Sequence, residues 1–207
     1  PDFEQHPPDL DSLAPVLFTP ARTLDELTGA FRLVHDAYVD RDYIEPTEQS
    51  LRFGVHNLLP DTVTFVALLD DTLIATVTLV VDSPLGLPMD VIYHDELEAL
   101  RKQGRRLGEV TMLADRRRQF ARTLPMVLAL FRTLMDYAGQ VVHLDDLCIT
   151  LNPRHAHFYR RLLHFDDLGA LKSYPSVRDN PALAMRFPLQ MLPTLLAENP
   201  RYKAAYE

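Results

Sequence analysis

Cysteine, glycine and long hydrophobic runs are all scarce in this sequence. Of its 207 residues only Cys148 is a cysteine, which excludes an internal disulfide and a cysteine-based metal site. A single thiol is typical of a reducing compartment, so we expect a cytoplasmic protein. Residues 1–8 are polar and proline-rich and lack the charged start and apolar core of a signal peptide. The longest apolar run, residues 73–81, is interrupted by threonines and is far shorter than the ~20 residues of a membrane span, so stable membrane insertion is not expected.

Positive charge is also scarce, and it is concentrated in one window. The net charge of −8 argues against nucleic acid as a partner. Within residues 101–122, however, the basic residues outnumber Glu109 and Asp115; they are Arg101, Lys102, Arg105, Arg106, Arg116, Arg117, Arg118 and Arg122. Two interpretations stay open: a solvated face with local ion pairs, or a docking surface for an anionic ligand or an acidic partner.

The first third of the chain carries clear local signals. A short apolar run predicts a strand within residues 14–21. Thr23 and Glu26 form the pattern of a helix-capping box, and apolar residues at helical spacing follow as far as Tyr38. A second helix is predicted for residues 47–58.

The rest of the chain predicts strands and helices in turn. Two β-rich segments flank Asp70 and Asp71 and predict a hairpin, and a helix follows the hairpin. These three elements are predicted at residues 62–69, 73–81 and 90–103. The remaining elements are a strand, a helix, a strand, a helix and two strands, at residues 106–114, 124–138, 141–151, 154–164, 168–174 and 183–189.

The length and composition fit one α/β domain. Hydrophobic residues make up 47% and charged residues 24% of the chain, as in ordinary soluble domains. Residues 1–13 are predicted to be a loose arm, and residues 14–207 a single domain with a helical tail. A hairpin followed by alternating strands and helices predicts a central mixed, mostly antiparallel sheet of about seven strands flanked by helices.

Six stretches, spread between residues 24 and 189, carry a family resemblance. In order they are FRLVHDAYV (31–39), LRFGVHNLLP (51–60), DSPLGLPMD (82–90), GEVTMLA (108–114), NPRHAHFYRRL (152–162) and YPSV (174–177). Together they resemble the N-acyl amino acid synthases of the long-chain N-acyl tyrosine synthase type. These enzymes belong to the GNAT acyltransferase superfamily and are related to acyl-homoserine lactone synthases, which make bacterial signals.

The resemblance implies a fold, a reaction and a partner. The fold is that of GNAT acyltransferases, with an extra helix between the third and fourth strands. The reaction is the transfer of a fatty acyl group from the thioester of an acyl carrier protein to the α-amine of an amino acid, by direct amine attack. No tightly bound cofactor is implied, because the phosphopantetheine of the carrier, or acyl-CoA, is a co-substrate. The basic window of residues 101–122 would then dock the acidic carrier, with Arg117, Arg118 and Arg122 binding the donor.

The sequence departs from the related families in two places, and each departure argues against one co-substrate. The GNAT pyrophosphate loop contains glycine, whereas residues 117–123 contain none, which argues against coenzyme A bound in the usual GNAT manner. The lactone synthases place an arginine three residues after the glutamate of the fourth strand. Met112 stands at that position, which argues against S-adenosylmethionine chemistry.

The reaction requires a base, because an amino acid arrives as an ammonium ion that cannot attack a thioester. The resemblance assigns this role to Glu109; the alternative is a solvent-facing glutamate paired with Arg106. By the same resemblance, the backbone N–H of Met112 or Leu113 stabilises the oxyanion. Tyr159 is assigned as the acid that protonates the leaving thiolate, or it is a core residue.

The other predicted site residues bind the substrates. A carboxylate is bound best by arginine, which favours Arg32 or Arg52, each on a matching motif. Arg32 can equally pair with Asp36 one helical turn away. Thr111 is a further predicted substrate contact. Asn152 is predicted to bond the pantetheine amide, or to be a turn residue.

Two other functions remain open at this point. One is an acyl-CoA-dependent GNAT enzyme that acts on another amine. The other is a non-catalytic lipid-binding or sensor domain of the same fold. The eight histidines show no spacing with carboxylates that is typical of a metal site, so no metal is expected.

Overall fold

The computed structural model describes residues 16–116, 123–200 and 203, without the side chains of residues 123 and 124. Its helices are α1 Leu24–Val39, α2 Asp90–Arg101, α3 Thr123–Asp136, α4 Ala156–Leu162 and α5 Leu192–Glu198. Its strands are β1 Leu17–Pro20, β2 Val63–Leu69, β3 Thr72–Val81, β4 Leu107–Asp115, β5 Asp146–Leu151, β6 Asp166–Asp167, β7 Lys172–Tyr174 and β8 Asn180–Pro188. The predicted arm of residues 1–13 lies outside the described residues.

The described strands form one mixed sheet of eight strands. The order is β1-β2-β3-β4-β5-β8-β6, and β7 pairs with β8. Only the β4–β5 pairing is parallel, and the other pairings are antiparallel. The predicted mixed, mostly antiparallel sheet is therefore confirmed, as is the helix α2 between the third and fourth strands. Of the strand predicted at residues 168–174, only β7, Lys172–Tyr174, is present, and a further short strand, β6, lies just before that range.

Local chemistry explains the elements that the sequence predicted well. Thr23 and Glu26 form the reciprocal capping box at the start of α1, which satisfies backbone N–H groups that the helix leaves unpaired. Asp70 and Asp71 connect β2 to β3 with φ angles of 47° and 61°. Left-handed conformations at both residues of a two-residue loop match the twist of the paired strands, so the predicted hairpin turns there.

The helix predicted at residues 47–58 is wrong. That range contains only a 3₁₀ turn, Val55–Leu58, and the rest is irregular. The backbone N–H of Thr47 donates to Nε2 of His35 at 3.1 Å, and the N–H of Arg52 donates to the carbonyl oxygen of Phe31 at 3.0 Å. These contacts with α1 satisfy the backbone from outside the segment, which overrides its helical propensity.

Two predicted boundaries also move. The strand expected at residues 141–151 begins at Asp146, because the chain after α3 continues into a π-helical turn, Tyr137–Val141. The helix expected at residues 154–164 begins at Ala156, after a 3₁₀ turn that Asn152 caps. The π-helical turn after α3 is wound more widely than an α-helix, and the 3₁₀ turn before α4 is wound more tightly.

Helices cover both faces of the sheet. On one face, α3 packs Phe131 and Leu134 against Val110 and other strand residues in an α3-side cluster. On the opposite face, α2 packs Tyr93 and Leu97 against the strands in an α2-side cluster. Helix α1 lies on the same face as α2. It packs against Ala114, which pairs with Thr76 on β3. The neighbours of Thr76 along β3 belong to the α3-side cluster, so the side chains of Thr76 and Ala114 point to the opposite face.

A buried charge cluster fixes the start of β5. Asp146 is 0% exposed, and its carboxylate accepts hydrogen bonds from Nε of Arg105 and, at 2.6 Å, from Nε of Arg186. Arg105 precedes β4 and Arg186 lies on β8. One carboxylate therefore ties together the three strands that carry the middle of the sheet.

Neutralising this carboxylate is expected to destabilise the fold. Asp146→Asn leaves two largely buried guanidinium groups without their shared counter-charge, which should lower the free energy of unfolding by about 2–4 kcal/mol. Denaturant unfolding monitored by circular dichroism measures the change.

The matched control is Asp167→Asn, which removes a similar carboxylate–arginine pair with Arg160 at a site where both side chains are about half exposed. An exposed pair contributes little, so the midpoint should hardly move. Equal effects of the two substitutions would contradict a special role for Asp146.

Candidate active site

A gap opens in the sheet where β4 and β5 part. Their parallel pairing ends at the pair Val110 and Ile149. Strand β4 nevertheless continues to Asp115 and β5 to Leu151. The two strands therefore diverge towards their carboxyl ends, and backbone that would otherwise pair lies beside open space.

A β-bulge stands on β4 at this gap. Thr111 pairs with Thr78 on β3, and Ala114 pairs with Thr76, so Met112 and Leu113 together oppose the single residue Val77. Met112 has a φ of 54°, which is left-handed and uncommon for a residue with a side chain. Bulges re-aim the strand locally and are frequent next to active sites.

A cavity of about 680 Å³ occupies this region and reaches both faces of the sheet. On the α2 face its lining includes Val80, which belongs to the α2-side cluster, and Glu109, which pairs with Val80 across β3 and β4. On the α3 face it includes Val127 and Ile149 of the α3-side cluster. The cavity therefore passes through the gap between β4 and β5.

The lining differs between the two faces. Hydrophobic residues dominate the α3 face; they are Val110, Val127, Ile149, Leu151, Phe158 and Tyr159. On the other face polar and ionisable side chains gather around Glu109; they include Tyr38, Arg41, Tyr43, Arg52 and Tyr174. One half of the cavity thus suits a chain of methylenes, and the other half suits a charged small molecule.

Glu109 is a carboxylate buried in the sheet. It is 2% exposed, and its side chain shares a face with those of Val80 and Cys148, its neighbours across β3 and β5. Its Oε2 accepts a hydrogen bond from the backbone N–H of Met89 at 2.8 Å. Burial raises the pKa of Glu109 to about 8, against the Met89 bond that favours the ionised form. A carboxylate of this pKa is a far stronger base than an exposed one.

Arg52 and two tyrosines share the cavity with this carboxylate. Arg52 lines the cavity, with its guanidinium 5.7 Å from the centroid of the Tyr38 ring, and its Nη2 donates to the carbonyl oxygen of Ser176 at 3.0 Å. Loss of contact with water raises the pKa values of Tyr38 and Tyr174, and the charge of Glu109 adds to both shifts. Glu109, Arg52 and the two tyrosines therefore form one electrostatically coupled group.

Residues 40–62 form a cover over the polar half of the cavity. Arg178 pairs with Asp42 at 2.5 Å and with Glu45 at 2.8 Å, which ties the cover to the turn after β7. From within the cover, the amide nitrogen of Asn57 donates to the sulfur of Met112 at 3.2 Å. These contacts hold Arg52 over the cavity and connect the cover to the bulge.

Most of the predicted site residues meet at this cavity. Those that line it are Arg52, Glu109, Thr111, Met112, Leu113, Asn152 and Tyr159. Arg32 does not line it and is exposed on α1. Arg117, Arg118 and Arg122 lie outside the described residues.

Two of these residues also carry structural contacts. Tyr159 is 6% exposed and packs edge-to-face against the rings of Phe131 and Phe165, with centroids 5.9 Å and 5.8 Å away. Oδ1 of Asn152 accepts a hydrogen bond from the backbone N–H of Arg154 at 3.2 Å. A packing role for Tyr159 and a turn role for Asn152 are thus real, and their predicted roles in the reaction stay predictions.

Tyr38 and Tyr174 are site residues that the sequence reasoning missed. They are far apart in the chain, and neither belongs to a recognisable catalytic pattern. Both nevertheless fall within stretches that carry the family resemblance, residues 31–39 and 174–177. That overlap was the available signal.

The described part of the basic window, residues 101–116, is divided by a strand. Strand β4 has 9 residues and separates Arg106 from Arg116, so these two residues lie about 30 Å apart. Arg101 is bound by the carboxylates of Asp82, Asp90 and Glu98. Arg105 is bound by Asp146, as described above. Among the described residues of the window, ion pairs therefore neutralise part of the positive charge.

Two general features complete the description. No group of three or more potential metal-binding side chains occurs within residues 16–116, 123–200 and 203. No helix in that part of the chain has the length and hydrophobicity to cross a membrane.

The burial of Glu109 predicts a pH-dependent stability. The folded protein keeps the Glu109 proton up to about pH 8, whereas the unfolded chain releases it near its ordinary pKa of 4.5. Stability is therefore lost as pH rises through this window, by at most about 1.4 kcal/mol per pH unit. Glu109→Gln keeps an acceptor for the Met89 N–H. Its free energy of unfolding, relative to that of the wild type, should increase from pH 6 to pH 8 and stay constant above pH 8. Denaturant unfolding at pH 6, 7, 8 and 9 measures the difference, and a lead that is independent of pH would contradict the raised pKa.

Comparisons with known proteins agree with this arrangement. The family profile described as "N-acyl amino acid synthase FeeM" matches residues 29–188. The structure of FeeM, an N-acyl amino acid synthase from uncultured soil microbes, is 31% identical, with a TM-score of 0.79 over 88% of this chain and 96% of that one. A comparison with curated protein sequences gives no match.

More distant structures share the fold. The CoA-dependent acyl-homoserine lactone synthase BjaI, with SAM and isopentyl-CoA, is 17% identical, with a TM-score of 0.60 over 84% of this chain and 81% of that one. An acyl-CoA N-acyltransferase from Pseudomonas aeruginosa is 15% identical, with a TM-score of 0.58 over 83% of this chain and 98% of that one. The family profile spans most of the described site, including Glu109 and Arg52, and the chain therefore belongs to the FeeM family of N-acyl amino acid synthases, which are N-acyltransferases.

Proposed function

We propose that the protein transfers a fatty acyl group from the phosphopantetheine thioester of an acyl carrier protein to the α-amine of an amino acid. The amine attacks the thioester directly, and Glu109 is the general base. The observation that carries this proposal is the cavity through the sheet, which has a buried carboxylate on one face and a hydrophobic lining on the other. It offers separate places for an amino acid and for an acyl chain on the two sides of a gap in which they would react.

The acceptor is proposed to bind on the α2 face. The Arg52 guanidinium lines the cavity and acts electrostatically on both Tyr38 and Tyr174, as Glu109 does, and its fork suits an α-carboxylate. With the carboxylate at Arg52, the α-ammonium of the same molecule can approach Glu109. Glu109 then takes a proton from the ammonium and leaves a neutral amine with a free electron pair.

The acyl transfer follows in the gap. The amine nitrogen forms a bond to the thioester carbon, and the carbonyl oxygen becomes an oxyanion. In this proposal the backbone N–H groups of Met112 and Leu113 donate to it; both residues lie at the bulge and line the cavity. The C–S bond then breaks, and the pantetheine sulfur leaves as a thiolate that takes a proton from Tyr159. The nitrogen still carries two hydrogens and a positive charge at this stage, so it gives up one proton, which restores the Tyr159 hydroxyl, and the neutral amide product remains.

The donor is proposed to be carrier-bound rather than free acyl-CoA. Phosphopantetheine on a carrier has one phosphate and no nucleotide, so it does not need the glycine-containing pyrophosphate loop that residues 117–123 lack. The alternative donor is acyl-CoA, which BjaI uses in a related fold. Parallel assays with acyl carrier protein and with acyl-CoA carrying the same acyl chain decide between the two.

The first test is product formation by wild type and Glu109→Gln. Wild-type protein in a bacterial host should produce N-acyl amino acids that mass spectrometry of lipid extracts detects. Glu109→Gln should lower kcat/KM by about 10²–10⁴-fold, because the amide accepts no proton. The wild-type kcat/KM should rise with pH and level off above about pH 8, where the free enzyme carries Glu109 ionised.

The matched control is Glu48→Gln, which changes an exposed glutamate of the cover that does not line the cavity. It should retain wild-type activity. Undiminished activity of Glu109→Gln would refute the base assignment while leaving the reaction intact. Absence of product from soluble wild-type protein, with both carrier and acyl-CoA donors, would refute the proposed function.

A second test separates the two predicted arginines. Arg52→Gln should raise the KM for the acceptor amino acid by about 10–100-fold, because the carboxylate loses a charge-assisted bidentate contact. Arg52→Lys should recover only part of the loss, since lysine lacks the planar fork. Arg32→Gln is the control, because Arg32 is exposed outside the cavity. Steady-state kinetics with varied acceptor measure all three, and a larger effect at Arg32 would reverse the assignment.

A further inference from the structure

The cavity wall contains a hydroxyl group that the protein itself leaves without a hydrogen bond. Among the described residues, the buried side-chain atoms without a hydrogen-bond partner are Nε2 of His56, Oε2 of Glu96 and Oγ1 of Thr150. Glu96 is not part of the cavity lining, whereas His56 and Thr150 both line it, and of the two Thr150 carries the hydroxyl. A buried hydroxyl without a partner lowers stability, so its presence calls for a ligand group that completes it.

Thr150 lies on the same face of the sheet as Glu109. On β5 it comes two residues after Cys148, which is the register partner of Glu109 on β4. Its own partner on β8 is Ala184, which belongs to the α2-side cluster together with Cys148. Alternation along β5 therefore points the Thr150 side chain to the polar face, away from the hydrophobic lining of Ile149 and Leu151.

Thr150 and Glu109 border the same cavity from neighbouring strands. Glu109 precedes the last paired residue of β4, Val110, and Thr150 follows the last paired residue of β5, Ile149, so both side chains stand at the mouth of the gap. An amine nitrogen carries more than one N–H and can donate to two oxygens at once. An amine in the polar half of the cavity therefore meets both side chains from the same face of the sheet.

We propose that Thr150 Oγ1 accepts a hydrogen bond from the attacking α-amine and so orients its electron pair towards the thioester. The inference rests on the proposed function. After Glu109 has taken one proton, the amine keeps two N–H groups and one electron pair. If the hydroxyl holds one N–H on the side of β5, the electron pair faces the gap where the thioester carbon lies.

The test is an isosteric replacement that is measured by kcat, by the KM for the donor and by Tm. Replacing a residue with a purely structural role would not lower kcat and raise Tm at the same time. Thr150→Val keeps the shape and removes the hydroxyl. It should lower kcat by about 10–100-fold with little change in the KM for the donor. It should also raise Tm by about 2–4 °C, because the uncompensated hydroxyl is gone. Thr150→Ser restores the hydroxyl and should recover most of kcat.

The matched control is Thr76→Val. The Thr76 hydroxyl is also buried, but it donates to the carbonyl oxygen of Phe65 at 2.9 Å, and Thr76 does not line the cavity. Thr76→Val should therefore lower Tm and leave kcat near the wild-type value. The kcat/KM of Thr150→Val should still rise with pH and level off above about pH 8, because the substitution replaces one neutral group with another.

The outcomes separate this inference from the proposed function. If wild type forms the amide and Thr150→Val keeps kcat within about twofold, the inference is overturned and the function stands. A raised KM for the donor with kcat retained would assign the hydroxyl to the pantetheine arm and also overturn it. If wild type forms no amide with either donor, the function fails and the inference fails with it.

Discussion

The parting of β4 from β5 is the constraint on which the rest of the site depends. Parallel strands normally stay paired, because unpaired backbone in a protein interior is unfavourable. Here the pairing stops at Val110 and Ile149, and the bulge at Met112 turns β4 towards β3 instead. The freed backbone borders a cavity that joins the two faces of the sheet. Without this divergence, Glu109 would be a buried carboxylate with nothing to act on.

The polar half of the cavity is held by contacts from three parts of the chain. Helix α1 supplies Tyr38, the cover of residues 40–62 supplies Arg52, and the turn after β7 supplies Ser176, which accepts from Arg52. His35 reinforces this arrangement, because its Nε2 accepts from the cover and its Nδ1 lies 3.1 Å from the carboxylate of Asp36. The polar half of the cavity is therefore formed where distant segments meet, whereas the hydrophobic half is lined by residues of the α3-side cluster.

The sequence predicted those features that local chemistry determines. The capping box of α1 and the hairpin at Asp70 depend on neighbouring residues, and both were predicted correctly. The irregular cover was not, because hydrogen bonds from α1 decide its path. The sequence also could not show that β4 separates Arg106 from Arg116 within the basic window, because that distance depends on the strand being extended. Glu109 could be singled out through a family resemblance, but its burial and the tyrosines around it depend on long-range packing.

The passage of the cavity through the sheet has a consequence for kinetic order. The acyl chain and the amino acid are assigned to opposite faces, and they meet only in the gap beside Val110 and Ile149. Neither substrate has to leave before the other can bind, and no nucleophilic side chain is needed to store the acyl group in between. The proposed placement of the two substrates therefore predicts a sequential mechanism through a ternary complex, in which double-reciprocal plots intersect, and not a ping-pong mechanism with parallel lines.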